Sequence, residues 1–218
     1  MNSPLRRLIV FGFHLLYHQF AWTYDAVSAL VSLGRWQEWV HSALPHLQGK
    51  RILEIGFGPG HLHATLIRQG WDVIGLDASP FMVRKASRRL REAGVRPRLV
   101  QGYAQSLPFR GGTFDTVVAT FPSEYIVQPE TLSEAERALR PGGRLVVVLG
   151  AWPGNGSLLE RLTGWAFRVT GQTSGTPGEI PPELENRFVG AGFDLRVEMA
   201  QVHTSTVVIL VASRREMK

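Results

Sequence analysis

Three glycines at alternate positions, Gly56, Gly58 and Gly60, follow the apolar run Arg51-Ile52-Leu53-Glu54-Ile55. Glycine is needed where a chain turns sharply from strand to helix, and where a ligand approaches too closely for a Cβ. Asp77 closes the next apolar run, 17 residues after Gly60. An acid there can accept hydrogen bonds from both hydroxyls of a ribose. Enzymes that bind a dinucleotide space their glycines as G-x-G-x-x-G and seat a pyrophosphate on the helix N-terminus. This chain has G-x-G-x-G, with Glu54 just before it. A carboxylate there is badly placed for a phosphate and well placed for an ammonium group. The chemistry indicated is retention of an adenosine-bearing ligand with a positively charged end. Taken singly, each piece also has an ordinary reading: Asp77 as the cap of a following helix, and Gly142-Gly143 as a helix stop.

These residues need a strand before the glycines and a helix after them, and the pattern supplies both. Strands are expected at Arg51 to Ile55, Asp72 to Leu76, Arg98 to Gly102, Phe114 to Ala119 and Arg144 to Leu149. Helices are expected at His61 to Gln69, Pro80 to Ala93 and Glu130 to Leu139. Alternation of strand and helix predicts an α/β fold of the Rossmann-like, doubly wound kind, with helices on both faces of a mostly parallel sheet. Leu195 to Gln201 and Thr206 to Ala212 are separated only by a short turn at His203-Thr204-Ser205, too short for a parallel crossover. They are therefore expected as an antiparallel hairpin, with His203 structural. Before the core, helices are expected near Leu5 to Gln19, Tyr24 to Leu33 and Arg35 to Ala43. Between the fifth strand and the hairpin, a helix is expected at Ser157 to Val169, ahead of a stretch rich in Gly, Pro, Ser and Thr. The organisation expected is an N-terminal helical segment, 1–48, covering the active site of a core at 49–218.

With its motifs in this order, the chain resembles the class I S-adenosylmethionine-dependent methyltransferases over about Tyr24 to Leu149. Leu53 to Gly60 matches that family's glycine motif. Leu76-Asp77-Ala78-Ser79-Pro80-Phe81-Met82 matches the second-strand motif, in which the acid holds ribose and the next residues flank adenine. Gly102-Tyr103-Ala104-Gln105 resembles the segment that meets the adenine ring and its amino group. Phe114 to Val118 and Leu139 to Leu145 resemble the fourth strand and the turn into the fifth. The resemblance implies S-adenosylmethionine as cofactor, held around Glu54, Gly56, Phe57, Gly58, Gly60, Asp77, Ala78, Met82, Ala104, Gln105 and Thr120. Tyr24-Asp25, with Ser28, Ser32, Gly34 and Trp36, is similar in part to the ubiquinone/menaquinone-biosynthesis methyltransferases. There the tyrosine lies near the cofactor's methionine part. This likeness implies a small, apolar or lipid-like acceptor.

Transfer of a methyl group from a sulfonium is a direct displacement, so position and exclusion of water matter more than a catalytic constellation, and no catalytic side chain can be named. Residues His14, Tyr17, His18, Glu124 and Tyr125 are candidates for the acceptor pocket. His14 and His18 are spaced to share a metal, but no third ligand is in view, and no metal is expected. The loop Thr120-Phe121-Pro122-Ser123-Glu124-Tyr125 lacks the Asn/Asp-Pro-Pro-Tyr pattern of enzymes that methylate amino groups of nucleobases or glutamine. The sequence contains no cysteine, which removes the covalent route to pyrimidine C5 along with disulfides, thiolate zinc and a cysteine nucleophile. Nucleic acid is thus disfavoured as a partner, though an RNA methyltransferase is the remotest alternative. The net charge is +6, with 44% hydrophobic and 19% charged residues, as in a globular core. The apolar stretch from Leu8 to Tyr17 is too short to span a bilayer and is expected as a helix of a cytoplasmic protein. With Arg6 and Arg7, and with the basic run Arg84, Lys85, Arg88, Arg89 and Arg91, it also suggests peripheral contact with anionic lipid. A phospholipid N-methyltransferase is the alternative this raises. Oligomeric state is not indicated.

Overall fold

A computed structural model describes residues 34–152 and 178–215. The expected helices at Leu5 to Gln19, Tyr24 to Leu33 and Ser157 to Val169 lie outside them, as do His14, Tyr17, His18 and Tyr24. The elements in chain order are α1 (Trp36–His41), β1 (Arg51–Ile55), α2 (His61–Arg68), β2 (Asp72–Asp77), α3 (Pro80–Glu92), β3 (Leu99–Gln101), β4 (Phe114–Thr120), α4 (Pro129–Ala138), β5 (Leu139–Trp152), α5 (Pro182–Gly190), β6 (Phe193–Val202) and β7 (Ser205–Arg214). Short 3-10 turns follow α1 at Leu44–His46 and precede α4 at Glu124–Val127.

The seven strands form one sheet in the order β3-β2-β1-β4-β5-β7-β6. The first five run parallel, while β7 is antiparallel to both β5 and β6. Strand order reverses between β1 and β4, which opens a crevice at the carboxyl ends of these strands.

The central strands β1, β4, β5 and β7 are buried on both faces, and their side chains alternate between two cores. Leu53, Ile55, Val117, Leu145, Val147 and Leu210 face one side, with Leu132 of α4 and Phe188 of α5. Ile52, Val118, Val146, Val148 and Ile209 face the other, with Trp39 and Val40 of α1 and Leu62 and Leu66 of α2. Helix α3 buries Met82, Ala86 and Leu90 and turns Arg84, Arg88 and Arg91 outward, where Arg88 meets Glu92 at 2.7 Å, while Arg89 packs on the His61 ring. No helix among the described residues is long and apolar enough to cross a membrane.

Two features differ from expectation. Strand β5 starts at Leu139, ahead of the expected Arg144, because Leu139 turns extended directly after α4 and pairs with Phe114. Gly142 and Gly143 are therefore not a helix stop. Gly142 takes φ +71°, and a Cβ on Gly143 would sit 2.9 Å from the Arg140 carbonyl oxygen. Helix α5 was not expected at all, although Pro182 at its start, Glu183 and Glu185 in its first turn and Arg187 in its last are ordinary helix signals. In the hairpin turn, His203 takes φ +52° and its Nε2 lies 2.8 Å from the Glu38 carboxylate.

Asp115 ties the sheet to the turn before β1. Its carboxylate accepts from the backbone N–H of Lys50 and of Arg51, and it pairs with Arg140 at 2.8 Å. Burial pushes the acid up, but the two backbone donors and the charges of Arg140 and Arg51 outweigh this and hold it below the usual aspartate value. A carboxylate depressed in the folded state stabilises above its unfolded pKa, and that stability is lost as pH falls through the folded one. Asp115→Asn is expected to cost about 1.5–3 kcal/mol at neutral pH, read as a lower urea midpoint at unchanged slope, with the difference from wild type shrinking in acid.

Candidate cofactor site at the carboxyl ends of β1 and β2

The chain leaves β1 through Gly56, whose N–H donates to the Leu76 carbonyl at 2.7 Å. Gly56, Gly58 and Gly60 all take positive φ, at +70°, +52° and +80°. Side chains are strained in that region and glycine is not. A Cβ on Gly56 would stand 2.5 Å from the Tyr125 hydroxyl oxygen, and one on Gly60 would stand 3.0 Å from Ala86 Cβ. Around Gly58 there is open space, so bare backbone faces the crevice there.

Asp77, at the end of β2, is fixed by the same loop. One carboxylate oxygen accepts from Gly58 N–H at 2.9 Å and the other from Ser79 N–H at 2.8 Å. The cap of α3 is Ser79, whose hydroxyl accepts from Met82 N–H, so Asp77 is not needed as a helix cap. Burial pushes the Asp77 acid up, and the two N–H donors offset this in part. A carboxylate has about four lone-pair positions; two are used, leaving two for the neighbouring hydroxyls of a ribose.

Glu54 is 1% exposed and lies beneath the glycine loop, with Oε2 2.9 Å from Nδ1 of the fully buried His63. The sequence suggests an ammonium group beside it; in the structure its partner is an imidazole. Phe57 is also buried, with its ring 6.2 Å from that of His63. Both fit because β2 has Gly75 opposite Glu54: a Cβ there would come within 2.7 Å of Phe57 and 3.1 Å of His63. Of the other expected cofactor residues, Met82 and Ala104 are buried and serve the walls, whereas Ala78 is exposed at the rim. Gln105 is half-buried and donates to the Gln128 side-chain oxygen at 2.8 Å. Thr120 ends β4 at the crevice, half-buried.

Of the two acceptor-pocket candidates among the described residues, Glu124 is exposed, while Tyr125 brings its hydroxyl to the glycine loop. The sequence does not assign Phe121 or Trp39 to the site, yet with Trp36 they meet at the end of β4. Phe121 follows β4 at φ +49° although Pro122 restricts it toward extended backbone. Its N–H donates to the Val148 carbonyl at 2.8 Å, and its ring lies 4.4 Å from Trp36 and 6.2 Å from Trp39. Left-handed non-glycine residues cluster at functional sites. Neither this φ nor the burial of His63 has a sequence signal, since both are set by contacts distant in the chain.

A family model described as a methyltransferase domain matches residues 52–143. The chain is 30% identical over 211 residues to the demethylmenaquinone methyltransferase of Thermus thermophilus, covering 84% of this chain and 94% of that one. It is 28% identical to the ubiquinone/menaquinone biosynthesis C-methyltransferase of Citrobacter koseri, over 71% of this chain and 65% of that protein. Several further demethylmenaquinone methyltransferases are matched over only 52% to 62% of their length. Among solved structures, the YcgJ protein of Bacillus subtilis shares the fold at a TM-score of 0.58 and 18% identity, over 83% of this chain and 98% of that one.

If Asp77 holds the ribose, Asp77→Ala should weaken binding of S-adenosylhomocysteine by roughly 100-fold, the loss of two charge-assisted hydrogen bonds. Calorimetric titration of a variant whose circular dichroism is unchanged measures this, and unaltered affinity would refute the assignment.

Proposed function

The chain belongs to the class I S-adenosylmethionine-dependent methyltransferases, and from that premise we propose that its acceptor is an apolar ring compound of the quinol class, methylated on a ring carbon. The observation that carries this reading is the aromatic group at the carboxyl end of β4, where Phe121 packs on Trp36 and near Trp39. Phe121 is half-buried, as suits a residue that packs on one side and meets a ligand on the other. A flat, apolar acceptor gains both area burial and ring stacking from such a surface. The activities for which the Thermus and Citrobacter relatives are named support the same class.

Cofactor and site fit each other. Asp77 has lone pairs left for ribose, and the glycine loop is open at Gly58, where a Cβ would meet nothing. When bound, S-adenosylmethionine supplies a methyl group made electrophilic by a sulfonium. The residues of this chain do the rest by holding and shielding. Gly56 and Gly58 admit the cofactor backbone-close, Asp77 would orient its ribose, and Ala78 and Gln105 would border its adenine. Tyr125 would stand over the loop where the cofactor and acceptor adjoin. The aromatic surface would hold the acceptor ring and limit its tilt, so that the cofactor's electrophilic methyl would be offered to one ring carbon. The N-terminal segment 1–48, whose described part packs α1 against α2 and β5, would cover this surface.

Incubation with trideuteromethyl-labelled cofactor and a demethylated naphthoquinol is expected to give one labelled methyl on a ring carbon, read by mass spectrometry with fragmentation. Phe121→Ala should raise the KM for the quinol about tenfold. Labelling of phosphatidylethanolamine with no labelling of quinols would overturn the acceptor reading.

A further inference from the structure

The two edges of the sheet differ. At one edge β3 is three residues long, and very short edge strands are one way in which proteins avoid pairing with their neighbours. At the other edge β6 is ten residues long, holds no proline or glycine, and pairs with β7 along its whole length without a bulge. Among the described residues, no strand pairs with its outer side. Such an edge offers a row of free N–H and C=O groups to another strand. The hairpin decides which residues offer them. Its two-residue turn, His203-Thr204, closes on Val202 and Ser205, and a turn of that length closes on a hydrogen-bonded pair. Even-numbered residues of β6 therefore bond to β7, while Leu195, Val197 and Met199 direct their backbone groups outward. Side chains alternate between the faces of the sheet. Arg196 and Glu198 share one face and are exposed, and neither meets an opposite charge among the described residues. Met199, 59% exposed, shares the other face with the half-buried Leu195 and Val197.

We propose that β6 is a dimerisation edge, on which a second copy of this chain pairs antiparallel about a two-fold axis at Val197 and joins the two sheets into one. The pattern of β6 complements itself in that register, as an interface between identical copies must. Arg196 stands opposite the partner subunit's Glu198, and Glu198 opposite the partner subunit's Arg196. Both pairs fall at positions that are not hydrogen-bonded, where facing side chains stand closest. On the other face, Met199 meets the partner subunit's Leu195. Moving the axis by one residue sets Arg196 against its own copy, or Glu198 against its own copy, so charge selects the register. Helix α5 leaves room for this. Its nine residues span about 14 Å against about 33 Å for β6. Phe188 near its end lies 6.3 Å from Phe193, over the first half of the strand, and Met199 in the second half is left uncovered. An antiparallel pair therefore puts the two helices over opposite halves. The cofactor site lies beyond β5 and β4, at β1 and β2, and stays open in both copies. The proposal depends on neither the cofactor nor the acceptor.

Sedimentation equilibrium of the full chain across the micromolar range tests this. One strand edge is a small interface, so a reversible dimer with a Kd on the order of 10 μM is expected, weakening as salt screens the ion pairs. A monomer at every concentration would overturn the proposal. Amide exchange at Leu195, Val197 and Met199 should slow at least about tenfold as the dimer forms, while Arg196 and Glu198, already bonded to β7, should not change. A dimer without that slowing forms elsewhere and would equally overturn it. Arg196→Glu and Glu198→Arg should each raise the Kd roughly tenfold or more, because each sets like charges face to face. A mixture of the two variants should recover a dimer at least as tight as the wild type, since every facing pair is then opposite in charge. Dimers indifferent to both substitutions, or no recovery in the mixture, would contradict the register about Val197.

Discussion

The Gly58 N–H to Asp77 carboxylate bond joins the two loops on which the site depends. One loop leaves β1 and the other leaves β2, and this bond ties them together beyond the last rungs of the sheet, Gly56 N–H to Leu76 and Asp77 beside Gln101. The bond exists only because Gly58 can take φ +52° and aim its N–H sideways. The opposite carboxylate oxygen is occupied by Ser79 N–H, so a single half-buried acid joins the end of β1, the end of β2 and the residue that caps α3. A ligand lying across these strand ends meets an acceptor oriented before it arrives, and pre-orientation of this kind is what a displacement reaction asks of its protein.

Beneath that bond the packing is organised around a missing side chain. Gly75 sits opposite Glu54 in the register of β1 and β2, and the space it leaves is taken by Phe57 and His63. The loop therefore rests on an aromatic ring and a carboxylate–imidazole pair, with the apolar cluster of α1, α2, Val118 and Val146 around them. Charge and shape are combined in the same few cubic ångströms, which links the geometry of the glycine loop to the electrostatics of what it carries.

Much of this was legible in the residues. Local rules place β1, α2, β2 and α3, since period-2 apolar runs, glycine turns and a Ser-Pro helix start all act within a few positions. The hairpin of β6 and β7 follows from its short turn, and Asp77 from its distance to the glycines. What was not legible depends on contacts distant in sequence. The side chain of Glu54 was read as facing a ligand because nothing near it in the chain announces His63 across the turn. Phe57 and Met82 lie in motif segments, yet motif membership does not say whether a side chain points to the ligand or the core. The left-handed Phe121 is set by Val148 on β5 and by the rings of Trp36 and Trp39. Extension of β5 to Leu139 reflects pairing with Phe114 rather than any strand propensity of Arg140-Pro141-Gly142-Gly143.

The site at the carboxyl ends of β1 and β2 is built to select an adenosine carrying an amino-acid end rather than a dinucleotide. Titration of the wild-type protein with S-adenosylhomocysteine, with NAD as the parallel ligand, measures that directly. One molecule of S-adenosylhomocysteine bound per chain at micromolar affinity, and no heat from NAD, is the result the geometry predicts. Binding of NAD with no response to S-adenosylhomocysteine would contradict it.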